Sequence, residues 1–395
     1  MSGPLEGTKV LSFGRMLSGP FATMILSDLG AEVVKIEAPK MGDLARFAGP
    51  FVEKVSSYFL SINRGKKSIT VDLKREGASK VVFDLVKIAD ILLENFRPGV
   101  MERLGFGYDA VREVNPRIIY ASLSGFGQDG PYAQRPAFDM IAQGMGGVMS
   151  ITGEPGRPPV RLGTSMGDIG ASLFTCISIL AALHEREKSG QGQWIDVAML
   201  DSQVALCENA CARYFATGEI PGPLGSRHPL FTPFQAFPTR DGYVVVVAQL
   251  PDDWNRFCEA AGRKEWVTDP RYCSLEARLE NYGEFIEEMN ALMRTRSTEE
   301  WITLLDAHRV MCGPVNNIEE VVRDPHVNHR GMFVDVEHAT AGRLKVVGTP
   351  MKFSRTPCRI EKASPELGQH TQEVLASWAK LTKEEIEELK RSGIL

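Results

Sequence analysis

The first half of the chain alternates short apolar runs with longer stretches of helical periodicity. Residues 9–13, KVLSF, read as a strand, 14–18 as a turn, 20–29 as a helix and 32–36 as a second strand. Compact apolar runs suit strands covered on both faces, and apolar positions three and four apart suit helices packed on one side. This β-α-β unit recurs: strands predicted over 68–73, 90–94 and 118–124 are separated by helices over 77–88 and 108–114. Such alternation implies a parallel sheet with ligands at the carboxyl ends of its strands. Helices over 139–149, 169–187 and 200–217 and a strand over 193–198 follow. The 169–187 segment is apolar nearly all round (Ile169, Leu173, Phe174, Ile177, Ile179, Leu180, Leu183), which predicts a buried helix.

The pattern changes at 218–233, where four prolines and three glycines mark a linker. A hairpin over 234–237 and 243–248, then helices over 252–261, 275–294 and 298–307, predict a smaller α+β domain. A strand over 346–353 and helices over 371–379 and 383–391 close the chain. The expected plan is a Rossmann-like α/β domain over 1–217, a linker over 218–233, a small α+β domain over 234–330, and a return to the large domain over 331–395.

Composition narrows the function. The chain has 395 residues, 43% hydrophobic and 24% charged, enough for two or three packed domains. A net charge of −5 argues against a nucleic-acid surface, which needs a basic face, but leaves room for a local basic pocket. Seven scattered cysteines do not suggest a disulfide framework; Cys207 and Cys211 fall on one helix face as buried thiols. The N-terminal segment lacks the charge-then-apolar pattern of a signal peptide, and no uninterrupted apolar run approaches membrane-spanning length. The expectation is a soluble cytoplasmic protein without membrane partners.

Four stretches could carry chemistry. The first turn, GRMLSGP at 14–20, sits where a dinucleotide loop would but lacks its glycine spacing, so the acid ending the second strand, Glu37, is a weak ribose ligand. Basic clusters occur at 64–67, 74–75, and Arg97 with Arg103; exposed cations usually just solubilise a surface. The NFRPG turn at 95–99 is more specific, because Pro98 and Gly99 fix a turn that aims Arg97 outward at the sheet's carboxyl edge, where adenosine phosphates need planar cations. In GTSMGDIG at 163–170, Asp168 begins the long apolar helix. As an N-cap, aspartate is among the best residues. As a nucleophile, a carboxylate near helix N–H groups stays ionised even when desolvated, and flanking glycines admit a bulky thioester. His326 and His329 lie beside Asp324 without a third ligand at metal spacing, so no metal is expected.

The chain resembles the family III CoA-transferases, the CaiB/BaiF group that includes formyl-CoA:oxalate and carnitine CoA-transferases. The resemblance is carried by SGPFATMILSDLGAEVVKIE at 18–37, NRGKKSITVDLK at 63–74, ENFRPGVMERLGFGYDAV at 94–111 and YASLSGFGQDGPYAQRPAFDMIAQGMGG at 120–147. PPVRLGTSMGD at 158–168, SGQGQWIDVAMLD at 189–201, LGSRHP at 224–229 and LGQHTQEVL at 367–375 extend it. It implies an interlocked homodimer, each subunit a large Rossmann-like α/β domain built from both chain ends and a smaller middle domain. It implies an acyl-CoA:carboxylate CoA-transferase with Asp168 as nucleophile, passing through an aspartyl-CoA thioester. CoA is then a substrate, no cofactor is held permanently, and the acceptor is a small di- or hydroxycarboxylic acid such as oxalate or succinate. CoA contacts map onto Leu17 and Ser18; Val71, Asp72, Leu73 and Lys74; Asn95, Phe96 and Arg97; Arg103; and Ala137, Phe138 and Asp139. Two places differ from the family pattern. An arginine common after the second strand is replaced by Ala38, with Lys40 nearby, and the glycine-rich loop of formyl-CoA transferases is matched by AQLPDD at 248–253. The rival reading is an α-methylacyl-CoA racemase of the same fold, but racemases carry a histidine where this chain has Phe138, which moves no proton. Arg161, Arg227 and His228 are candidates to meet a second substrate carboxylate.

Overall fold

The computed structural model describes residues 3–395. Six strands form one sheet: β1 (Lys9–Ser12), β2 (Glu32–Glu37), β3 (Lys67–Thr70), β4 (Ile91–Glu94), β5 (Ile119–Ser124) and β6 (Trp194–Ala198). All neighbours are parallel, in the order β3-β2-β1-β4-β5-β6. The order reverses between β1 and β4, the point where loops diverge to opposite faces and open a crevice at the carboxyl edge.

Both faces of the sheet are covered, which is why its strands are apolar runs without alternation. β4 and β5 are buried along their whole length. On one face Leu11, Val34, Leu92 and Tyr120 meet Val81, Val82 and Leu85, and also Val374, Leu375, Trp378 and Ile386 from the C-terminal helices. On the other, Val10, Ile91 and Ile119 meet Ala22 and Leu26 of α1 (Ser18–Asp28). α2 (Asp139–Met145), α3 (Met166–Ser189) and α4 (Met199–Leu206) follow; Cys176, Ile179 and Ala182 of α3 complete that second core.

Several expectations change in detail. The helix expected over 200–217 is two, α4 and Glu208–Thr217, broken at Cys207, and that over 275–294 breaks at Asn281. The strand expected over 346–353 is instead part of a hairpin, Phe333–His338 paired with Gly342–Val347. Helix α3 is not buried all round. Its buried stripe is mostly small residues, Gly167, Gly170, Ala171, Ser172 and Thr175, with Ile179 further along, while Leu173 and Ile177 stay 46% and 61% exposed. By length and composition alone α3 could cross a membrane, with a mean hydropathy of 1.7 over its most apolar window, against the expectation from uninterrupted runs. It nonetheless packs on α1 and on the sheet, as a core helix does. The cluster at 64–67 is internal bracing rather than a solvated surface. Buried Arg64 pairs with Asp28 at 2.6 Å, buried Lys66 donates to the Pro20 and Ile62 carbonyls at 2.7 and 2.9 Å, and Lys67 pairs with Glu32 and Glu373.

By contacts the chain forms two compact units. One comprises the chain through Met149, Arg161–Gly218 and Pro325–Leu395 and holds the six-stranded sheet; the other comprises Ser150–Val160 and Glu219–Asp324. The second unit has an antiparallel sheet of Phe234–Pro238, Tyr243–Val247 and Met311–Pro314, the central strand being Tyr243–Val247. Its core gathers Trp254, Trp266, Tyr272, Phe285 and Trp301, and Arg278 lies buried over the Trp254 ring at 4.5 Å. The 248–253 stretch leads from the central strand into the helix Pro251–Ala260, where Asp253 pairs with Arg256.

Candidate active site

The crevice is built where β1 and β4 end. After β1 the chain turns sharply into α1; a Cβ on Gly19 would lie 2.9 Å from the Gly14 Cα, so this turn closes only with glycine there. Asn95, just past β4, stitches the two loops together. Its Oδ1 accepts the Arg15 N–H at 2.7 Å, and its Nδ2 donates to the Arg15 carbonyl at 2.9 Å and the Ser18 Oγ at 3.0 Å. Glu94 receives the Phe96 N–H at 2.8 Å. Burial raises the Glu94 carboxyl to about 7, with Glu102 and Asp196 adding to the rise and the Ser122 and Phe96 hydrogen bonds opposing it.

Asp168 is the third residue of α3. The helix begins after Ser165, whose side chain caps nothing, so the N-cap expectation for Asp168 is corrected. Its carboxylate lies beside the first turn of α1, where the Ser18 hydroxyl and N–H favour its charged form. Ser172 locks the pair by donating to the Ser18 carbonyl at 2.8 Å and the Asp168 carbonyl at 2.7 Å. Burial, then the neighbouring Asp139 charge, push the Asp168 carboxyl up to about 6 against the effect of Ser18. The carboxylate is therefore mostly ionised at neutral pH and poorly solvated, which is what a carboxylate nucleophile needs.

Behind Asp168 a buried amide network sets the start of α3. Asp139 Oδ1 accepts the Gly167 N–H at 2.7 Å and its Oδ2 accepts Gln143 Nε2 at 2.8 Å. Gln143 Oε1 receives the Leu162 N–H at 3.0 Å, and Gln203 Nε2 donates to the Met166 carbonyl at 3.0 Å. Neither glutamine was singled out from the sequence, because a buried amide leaves no periodic or motif signal.

A cavity of about 180 Å³ brings together Leu17, Ser18, Asn95, Phe96, Arg97, Ala137, Phe138 and Asp168 from the expected set, with Arg15, Tyr58 and Arg135, which were not expected. Burial raises the Tyr58 hydroxyl to about 12, with the charges of Asp168, Asp43 and Asp139 adding to it, so it remains a proton donor. Asp139 lies behind the cavity wall. Arg103 lies outside it, its guanidinium 3.0 Å from where a Gly99 Cβ would stand. Val71, Asp72, Leu73 and Lys74 follow β3 on the same edge of the sheet, outside the cavity, and the Asp72 N–H is taken by the Ile394 carbonyl at 2.7 Å. Glu37 is occupied by Arg46 in a two-pronged pair at 2.8 Å, which disposes of a ribose role. Arg161 is exposed and outside the cavity lining. In the second unit Arg227 stacks over Tyr282 at 3.8 Å, and His228 stacks on Phe231 and Phe234. Among the described residues no group of three or more potential ligands could hold a metal.

A reversed parallel sheet with a desolvated carboxylate and several guanidiniums in its crevice is the frame of an enzyme acting on an anionic, phosphate-bearing substrate. Residues 5–371 match the family model of CoA-transferase family III, and the chain belongs to that family. It is a CoA-transferase, whose substrates are acyl-CoA thioesters and carboxylic acids. The succinyl-CoA:glutarate CoA-transferase of Homo sapiens is 37% identical over 393 residues, covering 99% of this chain and 90% of the human one. The acetyl-CoA:oxalate CoA-transferase of Acetobacter aceti is 39% identical over 353 residues, covering 89% of this chain and 90% of that protein. The crystal structure of a CAIB/BAIF family protein from Brucella suis is similar at a TM-score of 0.87 and 34% identity, over 96% of this chain and 100% of that one.

Proposed function

We propose that this enzyme transfers CoA between small dicarboxylic acids through an aspartyl-CoA thioester on Asp168. The observation that carries the proposal is the Asp168 carboxylate, raised to about 6 and lining a cavity of about 180 Å³ beside Ser18. A carboxylate oxygen of Asp168 attacks the donor acyl carbonyl; the carbon–sulfur bond breaks, leaving a mixed anhydride and CoA thiolate. The thiolate attacks the aspartyl carbonyl, the anhydride bond breaks, and the donor acid leaves an aspartyl-CoA thioester. The acceptor carboxylate reverses these steps with its own atoms and restores the free Asp168 carboxylate. No step moves a proton, so the absence of an acid/base at Phe138 costs the transfer nothing, whereas racemisation needs a base on each face of the α-carbon. Tyr58, which lines the same cavity, serves in this reading as donor to the oxyanion that forms on each carbonyl.

Arg97 and Arg103, on either side of the Pro98-Gly99 turn, serve the phosphates of CoA in this reading, with the 71–74 segment further along the sheet edge. The relatives' names support dicarboxylic acceptors, glutarate in the human protein and oxalate in the bacterial one. The reading includes an interlocked homodimer in the cytoplasm. An unpartnered apolar stripe on α3 (Leu173, Ile177, Leu180), with exposed Phe138 and Met140 beside the site, supports an obligate partner surface.

The test is transfer itself. Purified enzyme, succinyl-CoA and a panel of acids are expected to yield new acyl-CoA masses with glutarate or oxalate and none without acceptor. Solvent deuterium entering the acyl α-position, with no new thioester, would instead favour isomerase chemistry.

A further inference from the structure

The cavity around Asp168 holds more positive charge than the chemistry above uses. Asp168 is the sole acid among its lining residues, against three guanidiniums, Arg15, Arg97 and Arg135. Arg97 belongs to the turn assigned to the CoA phosphates. Arg135 sits on an exposed loop, stacked 4.7 Å over Tyr132. Arg15 is different in kind. Its backbone is gripped on both sides by Asn95, at 2.7 and 2.9 Å, and the same amide reaches Ser18, which Ser172 ties to the Asp168 backbone. The position of Arg15 is thus tied to the backbone of the nucleophile through Asn95, Ser18 and Ser172. Its guanidinium lies 4.7 Å over the Phe96 ring, and among the described residues it forms no ion pair. The side chain is open to the cavity, yet the surrounding protein lowers its pKa through burial, with Asp43 and Glu37 opposing from a distance. An accessible guanidinium that lines the cavity and, among the described residues, has no carboxylate partner can meet an arriving anion.

We propose that Arg15 binds the second, non-reacting carboxylate of a short dicarboxylic acid while the first reacts at Asp168, and so sets the preference for dicarboxylates over monocarboxylates. The proposal rests on the Asp168 reading. The cavity, about 180 Å³, falls below the ~300–1,000 Å³ of drug-sized ligand sites, so it suits an acid of a few carbons. A planar guanidinium over a ring face, on a backbone held by two hydrogen bonds, presents a carboxylate-matching fork.

The experiment compares wild type, Arg15→Gln and Arg15→Lys with acetyl-CoA as donor and either succinate or butyrate as acceptor; these acids have equal chain length and differ by one carboxylate. The expected result is that Arg15→Gln lowers the succinate-to-butyrate ratio of kcat/KM by about tenfold or more, that Arg15→Lys restores part of it, and that the KM for acetyl-CoA moves far less. An unchanged ratio, equal losses on both acids, or a loss confined to acetyl-CoA overturns the assignment. Each protein is also incubated with acetyl-CoA alone and its intact mass read. An adduct in wild type and in Arg15→Gln shows a folded, nucleophile-competent variant, so an unchanged ratio then counts against Arg15 alone. No adduct in wild type that turns over with the same acetyl-CoA counts against the Asp168 reading, whatever the ratio does.

Discussion

Burial and the Asp139 charge raise Asp168 to about 6, while the Ser18 hydroxyl and N–H favour its charged form. Since attack needs the ionised carboxylate, kcat/KM for acyl-CoA is expected to be flat above pH 7 and to fall by about tenfold per pH unit below about 6. A stopped-assay pH profile checks this; a limb near 4 would mean an unperturbed carboxylate. The same shift makes Asp168 a burden on the fold. Its folded-state pKa lies above the unfolded value, so the penalty is absent below about pH 4 and complete above about pH 6. Asp168→Asn is therefore expected to abolish transfer yet stabilise the protein by about 1–3 kcal/mol at pH 7.5, with the gain vanishing near pH 4, as read by urea melts at both pH values. Asp168 was singled out because the family resemblance carries the family's nucleophile onto that position; the spacing of glycines around a carboxylate at a helix start reads equally well as an N-cap. Arg15 and Tyr58 were not, because a lone cation in a turn and a lone tyrosine in a short helix acquire meaning only when the sheet brings 15, 58, 95 and 168 to one edge.

At the scale of elements, the six strands could be read from sequence because parallel strands covered on both faces must be continuous apolar runs. Breaks inside helical stretches could not: Cys207 and Asn281 interrupt helices whose flanks share one periodicity, and neither is a glycine or proline. The 346–353 stretch was misread as one strand because its apolar residues span Gly348 and Pro350, while the real pairing partner lies upstream at 333–338. The burial of α3 was overestimated because composition does not reveal that mostly small residues are buried there while Leu173 and Ile177 face outward. The β1 turn packs closely against itself and Asn95, and a Gly19 Cβ would stand 3.1 Å from the Asn95 Cγ. Gly19→Ala is expected to cost about 1–3 kcal/mol in urea melts and to lower kcat/KM more than stability alone explains, because it pushes on the side chain that links Arg15 to Ser18. A neutral Gly19→Ala would show that the turn relaxes freely.

For the whole molecule, the unpartnered stripe on α3 and the exposed Phe138 predict that the isolated chain is incomplete. Ile177→Asp, which places a charge on the middle of that stripe, is expected to shift the mass in light scattering from two chains to one and to reduce transfer with it; an unaltered mass would place the assembly surface elsewhere. The central claim, covalent catalysis by Asp168, has a more direct readout. Wild-type enzyme incubated with succinyl-CoA and no acceptor is expected to gain the mass of CoA, less one water, on the peptide spanning Leu162 to Cys176, and hydroxylamine is expected to remove it. Asp168→Asn is expected to gain nothing. An unmodified wild-type peptide in enzyme that turns over, or an adduct that persists in Asp168→Asn, would contradict the account.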